Sequence, residues 1–500
     1  MDSKTLKSGS DIRGIAIGEG AVFTADVARQ LGAAFAFYIA HSKRSDPGNV
    51  SIAVGRDSRI SGPAILQAVC EGVTRTGAKA FDCGMCTTPS MYQTIVASDF
   101  HPTASIMITA SHHPWNINGM KFFTESGGLG YSDLDEVLRI ANAEIPLCET
   151  PGAFETIPYI PMYGASLAAM ICNGLPGGNE TPLAGLHVVV DAGNGAGGFY
   201  AQMLQSLGAR TDGSQYLNPD GTFPNHPPNP ENPEAMDSLS HAVIGAGADL
   251  GVIFDADCDR AAIVDSAGRE INRNRLIALI SAILLEKHPR ATIVTDSVTS
   301  SGLSSFVKAL GGCHHRFKRG YRNVIDEAIR LNNAGIDCPL AIETSGHAAM
   351  RENRFLDDGM YLVTYLIIRA VQLKARNQSL SSLIADLREP VESAEYRLKI
   401  LTADFRKTGQ DTIAVLLSQA EKIAGWHIAP DNREGVRISF DLDGGLDNGW
   451  FLLRLSVHDP VMPLNVESDV AGGNLTILRQ LYTMLQHIPG LDLSSVSSLL

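Results

Sequence analysis

The sequence predicts an α/β protein: three related α/β domains in tandem with mainly parallel sheets, followed by a smaller α+β domain. Three observations predict it. The chain has 500 residues, more than one core holds, and at roughly 100–200 residues per domain this suggests three or four domains. An apolar β-branched run, an Asp, a small-residue turn and a helical spacing of apolar positions recur three times, which is the βα signature of parallel sheets. The last ~110 residues instead alternate as half-buried strands do.

The first repeat is Val50-Ser-Ile-Ala-Val54, turning at Gly55-Arg-Asp-Ser-Arg59 into a helix from Pro63. A second apolar run, Ala104-Ser-Ile-Met-Ile108, breaks off into Thr109-Ala-Ser-His-His-Pro-Trp-Asn-Ile-Asn-Gly-Met-Lys121. The second repeat is Leu186-His-Val-Val-Val190, then Asp191-Ala-Gly-Asn-Gly195, then a helix from Phe199. The stretch 217–233 holds six prolines, so it is neither helix nor central strand. Gly251-Val-Ile-Phe254 is a short buried-strand pattern leading into Asp255-Ala-Asp-Cys-Asp-Arg260. The third repeat is Ala291-Thr-Ile-Val294, Thr295-Asp-Ser-Val-Thr299 and a helix from Leu303. After the break at Glu389-Pro390, stretches 394–400, 436–440 and 450–456 read as strands and 474–485 as a helix. The domains are therefore expected at 1–158, 159–270, 271–388 and 389–500.

Two loops carry chemistry. Ser111 lies between Ala110 and His112 where a strand ends, with Pro114 and Gly119 shaping the turn behind it; this is how a reactive hydroxyl is presented. Asp255, Asp257 and Asp259 are spaced i, i+2 and i+4, and in extended chain they point to one side. Three carboxylates that close repel unless a cation sits between them, and an all-oxygen set suits Mg²⁺ or Ca²⁺. An EF-hand would need Gly and Glu where Arg260 and Ser266 stand. A haloacid-dehalogenase-type phosphatase would carry Thr or Val where Asp259 stands. Ligands of parallel sheets sit outside the carboxyl ends of strands, and both loops follow strand-like runs.

Composition excludes other classes. Hydrophobic residues make up 44% and charged residues 19%, as in ordinary globular proteins. No apolar run approaches the ~20 residues that cross a bilayer, and the first residues lack the apolar core of a secretory signal. A net charge of −14 disfavours nucleic acid and anionic membranes as partners. The eight cysteines are scattered, which fits a reducing compartment. Cys83-Gly-Met-Cys86 is a lone C-x-x-C with no second pair nearby and reads as two small residues near a turn. The expected location is cytoplasmic, or an organelle if a transit peptide has been removed.

The 109–121 segment resembles the phosphoserine loop of the α-D-phosphohexomutases, T-[AG]-S-H-N-P followed by N-G-x-K, with His113 in place of Asn. Residues 255–260 resemble that family's D-G-D-x-D-R metal loop, with Ala256 in place of Gly. The likeness continues in order at Ser10-Asp-Ile-Arg-Gly14, Gly55-Arg-Asp-Ser-Arg59, the proline-rich segment, Phe317-Lys-Arg-Gly-Tyr-Arg322 and Glu343-Thr-Ser-Gly-His347. It implies four domains around a central cleft, with the proline-rich segment an ordered surface loop. It implies a Mg²⁺-dependent interconversion of hexose 1- and 6-phosphates, of glucose or mannose, through phosphoserine at Ser111 and a hexose 1,6-bisphosphate. Ser111 with Asp255, Asp257 and Asp259 would hold the metal. Arg13, Lys121 and His347 become the general acid and base candidates, and His112 orients the loop. Arg260, Lys318, Glu343, Ser345, Arg454, Ser456 and His458 fall to the sugar phosphate, while Asp57 and Arg59 are structural. Small sugar phosphates are the expected partners of a monomer or homodimer.

The fourth domain departs from the family pattern. The phosphate clamp R-P-S-G-T-E-P is here Arg454-Leu-Ser-Val-His-Asp-Pro460, and Pro463 falls where a second Arg is expected. Arg437 and Arg433 are the nearby cations that could compensate. The sugar loop carries Thr344, where hexosamine mutases carry Gln and mannose/glucose enzymes often Met. Three alternatives stay open: a phosphoglucosamine or N-acetylglucosamine phosphate mutase, a Mg²⁺-dependent sugar-phosphate phosphatase with Asp255 as nucleophile, and a non-catalytic sugar-phosphate sensor.

Overall fold

Each of the three repeated runs forms a strand, Ser51–Arg56, Val188–Asp191 and Thr292–Thr295, and each is followed by a helix, Gly62–Arg75, Phe199–Ser206 and Ser301–Ala309. All three strands are buried over nearly their whole length. Their runs read as continuous rather than alternating because both sheet faces are covered. The computed structural model describes residues 3–96, 100–175, 177, 180–456 and 459–500. It divides into two units: Met1–Asn272 with Ser345–Ser381, and Arg273–Thr344 with Ser382–Leu500.

In the first unit, Ser51–Arg56 pairs in parallel with Lys79–Met85 and Ala104–Ile108. Ala104–Ile108 then pairs antiparallel with Ile117–Thr124, which pairs antiparallel with Asp11–Ile15. The sheet is therefore mixed where a mainly parallel one was expected. The connection 109–116 is shorter than the roughly dozen residues that a parallel crossover needs. Register sets Arg13 beside Gly119 and Lys121 beside Met107, so both basic side chains start near the Ser111 loop. Leu31, Phe35, Ile52, Val54, Ile106 and Phe122 form the core under this sheet.

A second sheet in the same unit pairs Val188–Asp191 in parallel with Leu250–Phe254, and Leu250–Phe254 antiparallel with Ala261–Asp265. The acidic loop is thus the connection of a hairpin. Gly195 makes room for it, since a Cβ there would stand 2.7 Å from the backbone of Ala256. Ala256 itself is not in the left-handed region, which Cys258 adopts at φ +62°, so Ala replaces the usual Gly of the resembling pattern without backbone strain. The proline-rich segment is ordered, but not wholly at the surface: His226, Pro228 and Pro230 are buried. Its last proline opens the helix Pro233–Ala246, whose first turn Asn232 caps through the Ala235 amide, the position where proline's missing N–H is harmless.

In the second unit, Thr292–Thr295 lies between Cys313–Arg316 and Leu340–Ile342, all parallel. The C-terminal part is an antiparallel sheet in the order Trp426–Ile428, Val436–Phe440, Gly449–Leu453, Val461–Ser468, Glu392–Ile400, Leu491–Asp492. Trp426, Phe440 and Phe451 cluster on one face, with ring centroids 5.0–5.8 Å apart.

Glu467 lies on this sheet and accepts from Trp450 Nε1 at 3.0 Å. Burial pushes it up to about 7 despite Arg437 nearby. A carboxyl raised on folding contributes stability that is full below its ordinary range and is lost as pH rises through about 7, an effect worth roughly 3 kcal/mol. Unfolding midpoints at pH 6 and pH 8 should therefore differ more in the native chain than in Glu467→Gln; equal differences would refute this. Among the described residues no helix is long and apolar enough to cross a membrane.

Candidate active site

Ser111 is 3% exposed, and its backbone is left-handed at φ +52°. Such a conformation costs a non-glycine residue about 1–2 kcal/mol and needs fixing from outside. Its Oγ donates to Asp255 Oδ2 at 2.6 Å, accepts from Arg260 Nη2 at 3.0 Å and lies 3.3 Å from His112 Nδ1. A hydroxyl has one proton and two lone pairs, so these three partners complete it if the His112 proton sits on Nδ1. Burial, then Arg260, His113 and Arg13, push His112 down to about 2, which keeps it neutral.

The acidic loop meets the serine loop here. The ligand oxygens of Asp255, Asp257 and Asp259 lie within 4.8 Å of one another, and all three residues are buried. Arg260 Nε holds Asp255 at 3.0 Å, while Lys121 pairs with Asp259 and stands 3.3 Å from Asp257. Three carboxylates face two cations, and Asp257 Oδ1 and Asp259 Oδ1 have no hydrogen-bond partner among the described residues. Burial, reinforced by Asp257 and Asp259, pushes Asp255 up to about 8. Burial also pushes Asp259 upward, but Lys121, His347 and Arg260 outweigh it and hold that carboxyl below its usual range. Three clustered carboxyls, two of whose oxygens lack a hydrogen-bond partner among the described residues, make an all-oxygen donor set that fits a hard divalent cation.

The other basic residues frame this centre. Arg13 Nη1 donates to His113 Nε2 at 2.7 Å and its Nη2 pairs with Asp11 at 3.2 Å. Burial and Arg13 push His113 down to about 4, so it accepts as a neutral ring. His347 Nδ1 meets Asp357 Oδ2 at 2.6 Å and lies 3.9 Å from Asp259. Ser345 Oγ is buried with no hydrogen-bond partner among the described residues.

In the second unit Lys318 is exposed. Glu343 Oε1 accepts from the Gly320 amide at 2.6 Å, and Thr344 Oγ1 donates to Asp296 Oδ2 at 2.7 Å, so the hydroxyl that distinguishes this sugar loop is engaged within the unit. Arg454 Nε has no hydrogen-bond partner among the described residues; Ser456 Oγ accepts from the Asp459 amide at 3.2 Å. His458 lies outside the described residues. Arg437 cannot replace the missing clamp arginine: it is buried, donates to the carbonyls of Ser297 and Thr299 at 2.9 and 3.2 Å, and stacks 3.6 Å over Trp450. Arg433 is exposed. Cys83 and Cys86 are both buried as free thiols.

Several contributors were not legible as such. Thr88 donates to Asp257 Oδ2 at 2.6 Å and its amide binds Asp257 O at 2.8 Å, and no motif marked it. Asp357 was likewise unmarked. Arg59, read as structural, donates to the carbonyls of the Ser111 loop itself.

Comparison with known proteins points the same way. Residues 4–145, 173–268 and 272–391 match the phosphoglucomutase/phosphomannomutase α/β/α domains I, II and III in that order. The phosphomannomutase/phosphoglucomutase of Pseudomonas aeruginosa is 30% identical over 463 residues, covering 92% of this chain and 90% of its own. The phosphomannomutase of Salmonella montevideo is 31% identical over 481 residues, covering 94% and 96%. The crystal structure of a phosphoglucomutase/phosphomannomutase family protein from Burkholderia thailandensis superimposes with a TM-score of 0.81 at 26% identity, over 98% of this chain and 99% of that one. The serine loop lies within the first of these matches and the acidic loop within the second, and the chain belongs to the phosphoglucomutase/phosphomannomutase family, within the α-D-phosphohexomutase superfamily.

Proposed function

We propose that this chain interconverts the 1- and 6-phosphates of glucose, mannose or both, with phosphoserine at Ser111 as the carrier and a hexose 1,6-bisphosphate as the intermediate. As a member of its family it is a phosphohexomutase, an isomerase that works by phosphotransfer. The carrying observation is the Ser111 hydroxyl, buried between Asp255 at 2.6 Å and Arg260 at 3.0 Å, at the edge of a three-carboxylate cluster.

In the first half-reaction the Oγ–P bond of phosphoserine 111 breaks as a free hydroxyl oxygen of the hexose phosphate bonds to phosphorus. The hydroxyl proton passes to a base, and Arg260 and His112 donate to the departing Ser111 oxygen. The second half-reaction runs in reverse from the other phosphate of the bisphosphate and restores phosphoserine. Arg13, Lys121 and His347 are the acid and base candidates, His347 being oriented by Asp357. Asp255, Asp257 and Asp259, with a phosphoserine oxygen, would hold Mg²⁺, which when bound supplies neutralisation of charge on the transferring group. Lys318, Glu343, Ser345, Arg454, Ser456 and His458 are assigned to the sugar and its phosphate. The four-segment division at 158, 270 and 388, a monomeric or homodimeric state, and a cytoplasmic location belong to the same reading. The phosphatase alternative is disfavoured because both Asp255 oxygens accept hydrogen bonds from Arg260, and Oδ2 also from Ser111.

The test is turnover of the 1-phosphates of glucose, mannose, glucosamine and N-acetylglucosamine with the matching 1,6-bisphosphate, alongside the intact mass of the purified protein. Isomerisation of the glucose or mannose ester and one phosphate on the protein are expected. Release of inorganic phosphate without isomerisation would sink the mutase reading, and preference for the amino sugars would sink its substrate assignment.

A further inference from the structure

We propose that Arg59 is the positioning residue of the phosphoryl-carrying serine, and that the proline-rich segment 217–233 is a strap that keeps both Arg59 and Arg260 in place. This rests on the phosphoserine reading above.

A guanidinium has five N–H donors in a fixed fork, and every one of them is engaged here. Arg59 Nε pairs with Asp57 Oδ2 at 3.1 Å. Nη1 donates to the carbonyls of Pro114 and Ile117, both at 2.7 Å, and Nη2 to those of Ser111 at 2.5 Å and His113 at 2.7 Å. Four carbonyls of one short loop converge on a side chain that is 0% exposed. The other half of the ion pair reaches the serine from its amide side: Asp57 Oδ2 accepts from Thr109 Oγ1 at 2.7 Å, and Thr109 Oγ1 accepts from the Ser111 amide at 2.8 Å. Ser111 is thus held at its N–H and its C=O by one buried pair, and this is what fixes its left-handed backbone. An ammonium has too few donors, and the wrong shape, to do the same.

The strap packs on this pair. Gly221 lies so close that a Cβ would stand 2.4 Å from Ser58 O and 2.7 Å from Arg59 Cα. The Phe223 ring covers the guanidinium at 5.2 Å from its centroid, a cation–π distance. Further along, Asn229 Oδ1 accepts from Arg260 Nη1 at 3.3 Å and Glu231 lies 3.6 Å from it, while Arg260 Nη2 reaches Ser111 Oγ. One segment therefore touches the arginine that holds the Ser111 backbone and the arginine that holds its hydroxyl. His226 pins its middle to Asp191 at 3.0 Å, and its prolines fix φ along the way. A stiff strap suits a site in which a 1 Å misplacement of reacting groups costs about a hundredfold in rate.

Phe223→Leu and Arg59→Lys in the full chain test this, with kcat and KM on glucose 1-phosphate plus glucose 1,6-bisphosphate, amide hydrogen exchange of residues 109–118, and thermal midpoints. Phe223→Leu should keep its midpoint, exchange faster at 109–118 but not in the helix Ala25–Ser42, and lose about tenfold or more in kcat with KM within about twofold. Arg59→Lys should lose about a hundredfold; if it does not fold, Phe223→Leu decides. Wild-type kcat in Phe223→Leu, or a kcat loss without faster exchange at 109–118, would overturn the proposal. If the native chain turned over no hexose phosphate, the mutase reading would fall, while exchange at 109–118 would still uphold or overturn the clamp.

Discussion

Ser111→Ala is expected to lower mutase turnover by roughly a millionfold, the scale on which deleting a covalent nucleophile acts, and to leave the purified protein without its phosphate. Stability should fall by no more than about 3 kcal/mol, with the chain still folded. The variant removes one donor to Asp255 Oδ2, which keeps Arg260 Nε, and one acceptor from Arg260 Nη2 and His112; a hydrogen bond is worth about 1 kcal/mol net. The backbone stays held through the Ser111 amide and carbonyl. Loss of activity in a chain that still unfolds cooperatively, at a midpoint lowered only modestly, thus separates chemistry from fold. An active Ser111→Ala enzyme, or one still carrying a phosphate elsewhere, would remove Ser111 as the carrier.

The second large effect concerns the cation. Two unit charges 4 Å apart interact by about 4 kcal/mol at an effective dielectric constant of 20. Asp255, Asp257 and Asp259 crowd within 4.8 Å of one another, and burial together with this repulsion is what raises Asp255, so a bound cation would relieve a strain that Lys121 and Arg260 only partly offset. A divalent ion at a hundred times its dissociation constant should stabilise the folded chain by about 2.7 kcal/mol. Thermal unfolding with and without Mg²⁺ should show this as a raised midpoint, and chelation should abolish turnover. In Asp257→Asn the rise should shrink sharply, because one of the two unpartnered oxygens belongs to that residue. A midpoint indifferent to Mg²⁺, Mn²⁺ and Ca²⁺ would make the cluster an ion network satisfied by Lys121 and Arg260 alone.

Much of this was written locally. The runs at 50–54, 186–190 and 291–294 announced strands Ser51–Arg56, Val188–Asp191 and Thr292–Thr295, because a strand buried on both faces must be apolar along its length. The expected helix at 474–485 is Gly473–Leu485. The serine and aspartate loops were legible because each packs its chemistry within a few residues of a strand end. Parallel pairing was over-read: the apolar runs say that strands are buried, while the short links at 109–116 and 255–260 decide that their neighbours return antiparallel.

What the sequence by itself determined is therefore the three repeated strands, the helices that follow them and the two loops with their reactive side chains, since periodicity and turn chemistry act between neighbours in the chain. Only the tertiary structure decided who meets whom. Thr88 reaches Asp257 across 169 residues and Lys121 reaches Asp259 across 138. Arg59 serves the Ser111 loop as well as its own Asp57, Phe223 of the strap covers Arg59, and Arg437 is engaged by Trp450 and two carbonyls instead of replacing the missing clamp arginine. An arginine or threonine carries the same donors wherever it stands. Its role is set by which acceptors the packing of strand ends brings within about 3 Å, and that distance is written nowhere along the chain.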